Sequence, residues 1–141
     1  MSVMVGLLPT HAEWAKHGFP HMTLVYCGKT DSFSPTDYNE IGKVASEVAK
    51  KHRSLELLTL AHRVFGDQPE QVDVFTLRST TELAAIRSRF LQWNESEYPF
   101  TPHVTIGPRS SYVPEMPFSI VFDRIIVKWG EQDLTFWLNP T

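Results

Sequence analysis

Two tetrapeptides hold the residues best suited to chemistry in this chain, His21-Met22-Thr23-Leu24 and His103-Val104-Thr105-Ile106. They lie 82 residues apart, each follows a proline (Pro20, Pro102), and each opens an apolar run. Histidine, with an ordinary pKa near ~6.5, can take up or release a proton at neutral pH. Two of them, one neutral and one protonated, supply a general base and a general acid without a metal. A threonine hydroxyl two residues on can donate to negative charge that builds on an oxygen in the transition state. Side chains alternate along a strand, so each tetrapeptide read as a strand turns its His and Thr to one face and its apolar residues to the other. Composition alone does not produce this pattern readily. With 6 histidines in 141 residues, two His-x-Thr copies each followed by Val, Ile or Leu arise in on the order of half a percent of such chains.

The rest of the chain supplies elements to position the pair. Val3 to Leu8 reads as a buried strand ended by Pro9. Thr10-His-Ala-Glu13 has the spacing of a capping box, opening a helix of about two turns before Gly18 and Pro20 stop it. The first motif strand runs from about His21 to Cys27. Ser34-Pro-Thr-Asp37 starts a longer helix, with Ile41, Val44, Ala45 and Val48 as its apolar stripe. Lys50, Lys51, His52 and Arg53 fall in its last turn, where positive charge suits the helix dipole. Leu55 to Phe65 and Val72 to Leu77 read as strands joined by a turn at Gly66-Asp67-Gln68-Pro69. Ser79-Thr-Thr-Glu82 is a further capping box, opening a helix that carries Leu83, Ile86 and Phe90 and stops near Asn94. The second motif strand, Phe100 to Ile106, follows, and Phe118 to Trp129 with Leu134 to Leu138 form a terminal hairpin. Val3–Cys27 and Val72–Ile106 thus share one order: strand, capped helix, His-x-Thr strand. That order implies an α+β, bilobal fold with pseudo-two-fold symmetry, in which the two motif strands line a shared cleft. No linker interrupts it, so residues 1–141 read as a single domain with intertwined lobes.

Bulk properties narrow the function. A net charge of −3 is a poor match to a protein gripping long nucleic acid through its phosphates, while a small phosphorylated ligand remains compatible. The single cysteine, Cys27, excludes an internal disulfide and a multi-Cys zinc site and fits a reducing compartment. No apolar stretch reaches the length of a membrane span and the N-terminus lacks the basic start of a signal peptide, so a cytoplasmic protein is expected.

The two His-x-Thr-apolar motifs in a small α+β chain resemble those of the 2H phosphoesterase superfamily, which includes RNA 2′,3′-cyclic phosphodiesterase/2′-5′ ligase proteins and phage and viral enzymes. The resemblance implies two antiparallel sheets forming a central cleft, helices outside, and the motifs within. It implies a metal-independent phosphodiesterase with His21, Thr23, His103 and Thr105 catalytic, no cofactor, and a small ribonucleotide or short oligonucleotide as substrate. RNA end processing or 2′-5′ ligation, and a non-catalytic nucleotide sponge, are the alternatives. The stubby helix after the first strand is a departure from relatives and leaves that side of the cleft more open. A monomer is expected.

Other residues carry weaker signals. Arg109 and Tyr112 follow the second motif, where a cation can meet phosphate and a ring can stack on a base. Cys27 shares strand parity with His21 and Thr23 and is expected at the cleft end, although nothing local marks it as a thiolate. Tyr26 has the opposite parity and is expected in the core. His17 and His21 have the i, i+4 spacing of a metal pair, but Gly18 and Pro20 break the helix such a pair needs. His11, His52 and His62 have no partner at ligand spacing and are expected in solvent.

Overall fold

The computed structural model describes residues 1–16, 18–109 and 112–139; His17, half of the i, i+4 pair considered above, lies outside them. Its elements are β1 (Ser2–Pro9), β2 (Met22–Lys29), α1 (Pro35–Lys51), β3 (Leu55–Phe65), β4 (Val72–Leu77), α2 (Thr81–Ser88), β5 (His103–Pro108), β6 (Ser119–Trp129) and β7 (Gln132–Trp137), with single 3₁₀ turns at Thr30–Ser32 and Leu91–Trp93. The class is α+β. All strand pairs are antiparallel, in the order β2-β1-β6-β3-β4-β5, with β7 added to β6. The order runs the same way inward from either edge: a motif strand, its partner (β1 or β4), then the central β6–β3 pair. Where two sheets were expected, the strands form one seven-stranded sheet, continuous through β3, whose residues Leu55–Leu58 pair with β6 while Thr59–Phe65 pair with β4.

Local chemistry accounts for most of these elements. Ser34 caps α1 by accepting from the Asp37 amide while Asp37 accepts from the Ser34 amide, and Pro35 opens the first turn. Ile41, Gly42, Ala45, Val48 and Ala49 form the buried stripe of α1, which packs on β6 and β7. Its C-terminal carbonyls are capped from afar, because the Asn139 amide donates to the carbonyls of Ala49 and His52. Phe75, Phe90 and Phe122 are the largest fully buried side chains, and burying each of them stabilises the fold by roughly 1.5–3 kcal/mol relative to exposure. Among the described residues, no helix is long and apolar enough to cross a membrane.

Three expectations are corrected. The Thr10–Glu13 capping box opens no helix. Only one turn forms, with the Ala15 amide on the Ala12 carbonyl, while the amides of Thr10 and Lys16 donate to Val121 and Ile106 of the sheet. A helix this short does not repay its nucleation cost, and Trp14, buried edge-on against Phe75, anchors the segment to the core. The second helix starts one residue late. Thr80, not Ser79, caps it through Leu83, and Glu82 pairs with His52 at the end of α1 instead of reaching back to the cap. Three adjacent hydroxyl residues can all serve as caps, so burial of Leu83 and Ile86 selects among them. Finally, His52 is half-buried instead of left to solvent, its Nδ1 donating to the Glu82 carboxylate, while His62 is exposed as expected and also donates, to Asp73.

Candidate active site

Each motif histidine is oriented in the same way. His21 stands immediately before β2 and His103 opens β5. The Nδ1 of His21 lies 2.8 Å from the Phe19 carbonyl oxygen, and that of His103 lies 2.7 Å from the Thr101 carbonyl oxygen. Both bonds span the proline that precedes the histidine. A carbonyl oxygen can only accept, so Nδ1 carries the proton in both rings, and Nε2 is the nitrogen able to exchange one. Aromatic neighbours further limit ring rotation: Phe19 stacks on His21 at 4.5 Å and 30°, and Phe65 meets His103 at 4.8 Å and 66°.

Along both strands the alternation predicted for the motifs is present. His21, Thr23, His103 and Thr105 are half-buried, while Met22, Leu24, Val104 and Ile106 are buried in the core. Each motif then ends in a β-bulge. Opposite β1 the register passes from Thr23 to Val25, and opposite β4 from Thr105 to Gly107, so Leu24 and Ile106 are the extra residues. Gly6 faces Thr23 across the first of these pairs, and a Cβ there would lie 2.8 Å from the Met22 carbonyl oxygen. The strands close up at the motif because residue 6 has no side chain.

The bulges also explain how sheet edges that are distant in strand order come together. The Leu24 carbonyl accepts from Arg87 Nε of α2 at 2.9 Å, and the Ile106 carbonyl accepts from the Lys16 amide of the β1–β2 connection. Each connection therefore docks on the bulge of the opposite motif. A further bond, from the Glu95 amide to the Tyr26 carbonyl at 2.8 Å, ties the segment before the second motif to the outer edge of β2. β2 and β5 approach each other as a result.

Between them lies a cavity of about 680 Å³, a size that suits a small organic ligand. Its wall takes Thr23 from the first motif and His103 from the second. His21 and Thr105 belong to the same two motifs but do not form part of that wall. The remainder comes from the Leu24–Tyr26 stretch of β2, the Phe65–Asp67 end of β3 and its turn, Arg87, and the 94–101 segment with Ser96, Tyr98 and Phe100. Among the described residues, no three His, Cys, Asp or Glu side chains cluster as a metal site would need.

Several residues lie elsewhere than strand parity implies, and the first bulge is the reason. Because Leu24 is an extra residue, both Leu24 and Val25 point inward and parity inverts beyond them. Tyr26, expected in the core, is 41% exposed and lines the cavity. Cys27, expected at the cleft end, is buried in the core, where desolvation and then the charge of Glu95 push its thiol up to about 12. Arg109 does not line the cavity; its Nη1 donates to the fully buried Asp73 carboxylate at 3.0 Å, and His62 Nε2 donates to the same oxygen at 2.8 Å. Tyr112 is 75% exposed and also lies outside the wall. Conversely, Arg87 and the aromatic 94–101 segment are cavity residues with no sequence signal, since a cation in a last helical turn reads as a dipole partner.

Comparison with known proteins matches residues 10–139 to the family model described as the 2′-5′ RNA ligase superfamily. No curated protein sequence matches the chain. Among solved structures, TT0787 of Thermus thermophilus aligns with a TM-score of 0.61 at 9% identity, covering 99% of this chain and 96% of that one. E. coli LigT, crystallised with NADP+, aligns with a TM-score of 0.58 at 14% identity, covering 98% and 95%. A structure described as a phosphoesterase aligns at 0.53 and 13% identity, covering 98% and 95%. At these identities the structural matches speak to fold.

Proposed function

The chain belongs to the 2′-5′ RNA ligase superfamily, and from that premise we propose that it is a metal-independent phosphodiesterase acting on a small ribonucleotide. The substrate class is a 2′,3′-cyclic phosphate, a 2′-5′ or 3′-5′ oligonucleotide with a neighbouring hydroxyl, or a cyclic oligonucleotide signal. One observation carries this reading above the others: both motif histidines have Nδ1 committed to a carbonyl two residues upstream. A core histidine has no need of a matched tautomer at a second site, whereas a general acid and a general base both need an oriented Nε2.

In the mechanism, the neutral histidine takes the proton from the attacking water or ribose hydroxyl through Nε2. The other, protonated at Nε2, gives its proton to the departing ribose oxygen. Phosphorus passes through a transition state with extra charge on its non-bridging oxygens, and the Thr23 and Thr105 hydroxyls donate to them. The carbonyls of Phe19 and Thr101 hold each imidazole in one orientation and stabilise its protonated form. Reversal of substrate orientation exchanges the two roles, and where a ribose hydroxyl attacks a 2′-5′ linkage to leave a 2′,3′-cyclic phosphate and a free 5′-hydroxyl, reversal of that step is 2′-5′ ligation. The cavity serves as the cleft between the two related halves, with Tyr26 and Tyr98 as rings on which a base can stack.

The test is mass spectrometry of products from cyclic mononucleotides, cyclic di- and trinucleotides and 2′-5′ oligoadenylates. Cleavage that persists in EDTA, shows a bell-shaped pH profile and falls by at least about 10³-fold in both His21→Ala and His103→Ala is expected. Intact ligand recovered after saturable binding replaces the enzyme with a sponge. Full activity in either histidine variant, or loss on chelation alone, overturns the mechanism.

A further inference from the structure

We propose that Arg87 is the anion-binding residue of the cavity, taking a non-bridging phosphate oxygen of the substrate through its terminal guanidinium nitrogens. This deepens, and rests on, the phosphodiesterase reading. The argument starts from how the guanidinium is held. Its Nε donates to the Leu24 carbonyl, one residue beyond Thr23, and its Cζ lies 4.2 Å from the centroid of the Phe100 ring. One edge and one face are thereby fixed, which removes the rotamer freedom that an arginine otherwise loses on binding. Guanidinium carries five N–H donors; with Nε engaged, those of Nη1 and Nη2 have no protein acceptor among the described residues.

Arg87 also lacks a counter-charge. Among the described residues it enters no ion pair, and burial lowers its pKa with no carboxylate to offset the effect. A partly desolvated cation with unused donors in a cavity wall is stabilised by an incoming anion. The neighbouring arginines differ. Arg109 is engaged by buried Asp73, and Arg89 by Glu47 at 2.9 Å, neither in the cavity wall. Asp67, the carboxylate in the wall, lies on the β3–β4 turn and is not paired with Arg87. Arg87 therefore shares the cavity wall with Thr23 and His103, the site of phosphodiester cleavage on the reading proposed above.

The probe is inorganic phosphate, titrated into the intact protein and followed by calorimetry, alongside steady-state kinetics on whichever substrate is cleaved. Arg87→Gln keeps an N–H donor for the Leu24 carbonyl while removing the charge. It is expected to weaken phosphate binding about 10- to 100-fold, the effect of losing charge-assisted hydrogen bonds. Arg87→Lys recovers part of that loss. Arg89→Gln, which makes the same change in net charge at the end of the same helix, shifts affinity less than about 2-fold, because a paired surface charge acts weakly at a distance. Unchanged phosphate affinity in Arg87→Gln, or a larger loss in Arg109→Gln, overturns the assignment. Should Arg87→Gln fail to fold, the side-chain ¹⁵N resonances of Arg87 in the wild-type protein decide: they move on phosphate addition or the assignment fails. Phosphate bound through Arg87 by a protein that cleaves nothing removes the enzyme reading alone. Cleavage with phosphate affinity indifferent to Arg87 removes this one alone.

Discussion

Replacing Gly6 with alanine tests whether the close approach of β1 and β2 sets the first motif. An alanine Cβ would lie 2.8 Å from the Met22 carbonyl oxygen and 3.3 Å from the Met4 sulfur. The methionine side chain can turn aside, but the carbonyl is backbone inside the motif. Restoring a separation of 3.4 Å, the lower edge of ordinary contact, requires the strands to part by about 0.6 Å. Overpacking of this kind typically costs about 1–3 kcal/mol, or roughly 3–5 °C in Tm per kcal/mol at this chain length. The shift falls between His21 and Thr23, so it also displaces the groups proposed to react. A displacement of 1 Å can cost about 100-fold, and one near half that should cost roughly 10-fold in kcat. Thermal unfolding and kcat should be measured on Gly6→Ala beside Gly18→Ala, where an added Cβ meets nothing within 4 Å and no change is expected. If Gly6→Ala melts within about 1 °C of wild type and turns over within about 2-fold of it, the close-approach reasoning is wrong.

Cys27 should resist thiol reagents in the native protein at pH 8 and react fully on unfolding, because its thiol is held protonated and buried. Its folded-state pKa is raised, so the stability it contributes is complete below the ordinary thiol value of 9.0 and is lost as pH rises toward about 12; a urea midpoint that stays flat across that window in wild type, relative to Cys27→Ala, contradicts this. Asp73→Ala leaves Arg109 and His62 without their shared carboxylate. It should cost about 2–3 kcal/mol, less than a fully enclosed pair because both partners can turn to water; a loss below about 0.5 kcal/mol in denaturant unfolding argues that the interaction is dispensable. Tyr26→Ala should raise KM for a nucleotide about 10-fold or more through lost stacking, and Tyr112→Ala far less, since of these two it is Tyr26 that borders the cavity; equal effects of the two would place the base elsewhere.

Much of this was legible because it depends on neighbours in the chain. Ser34, Pro35 and Asp37 start α1 through bonds no longer than one turn, and β3 and β4 begin and end where their alternating residues do. The tetrapeptides also show their two faces locally, with four half-buried polar side chains over four buried apolar ones. Errors arose where the competing interaction is remote. Thr10 and Glu13 have the chemistry of a helix start, but the amides of Thr10 and Lys16 are taken by Val121 and Ile106, far along the chain.

What the sequence by itself determined is therefore the candidate set: two histidines and two threonines, turned to one face of two strands by a period of two. Tertiary structure decided what surrounds them. The extra residue at Leu24 inverts parity, moving Tyr26 into the cavity and Cys27 into the core. Asp73 binds Arg109 away from the cavity wall, while the Leu24 carbonyl and the Phe100 ring hold Arg87 within it. A bulge is set by cross-strand register and an arginine's direction by its acceptor. Both acceptor and register partner come from distant parts of the chain, so neither can be read from residues taken in order.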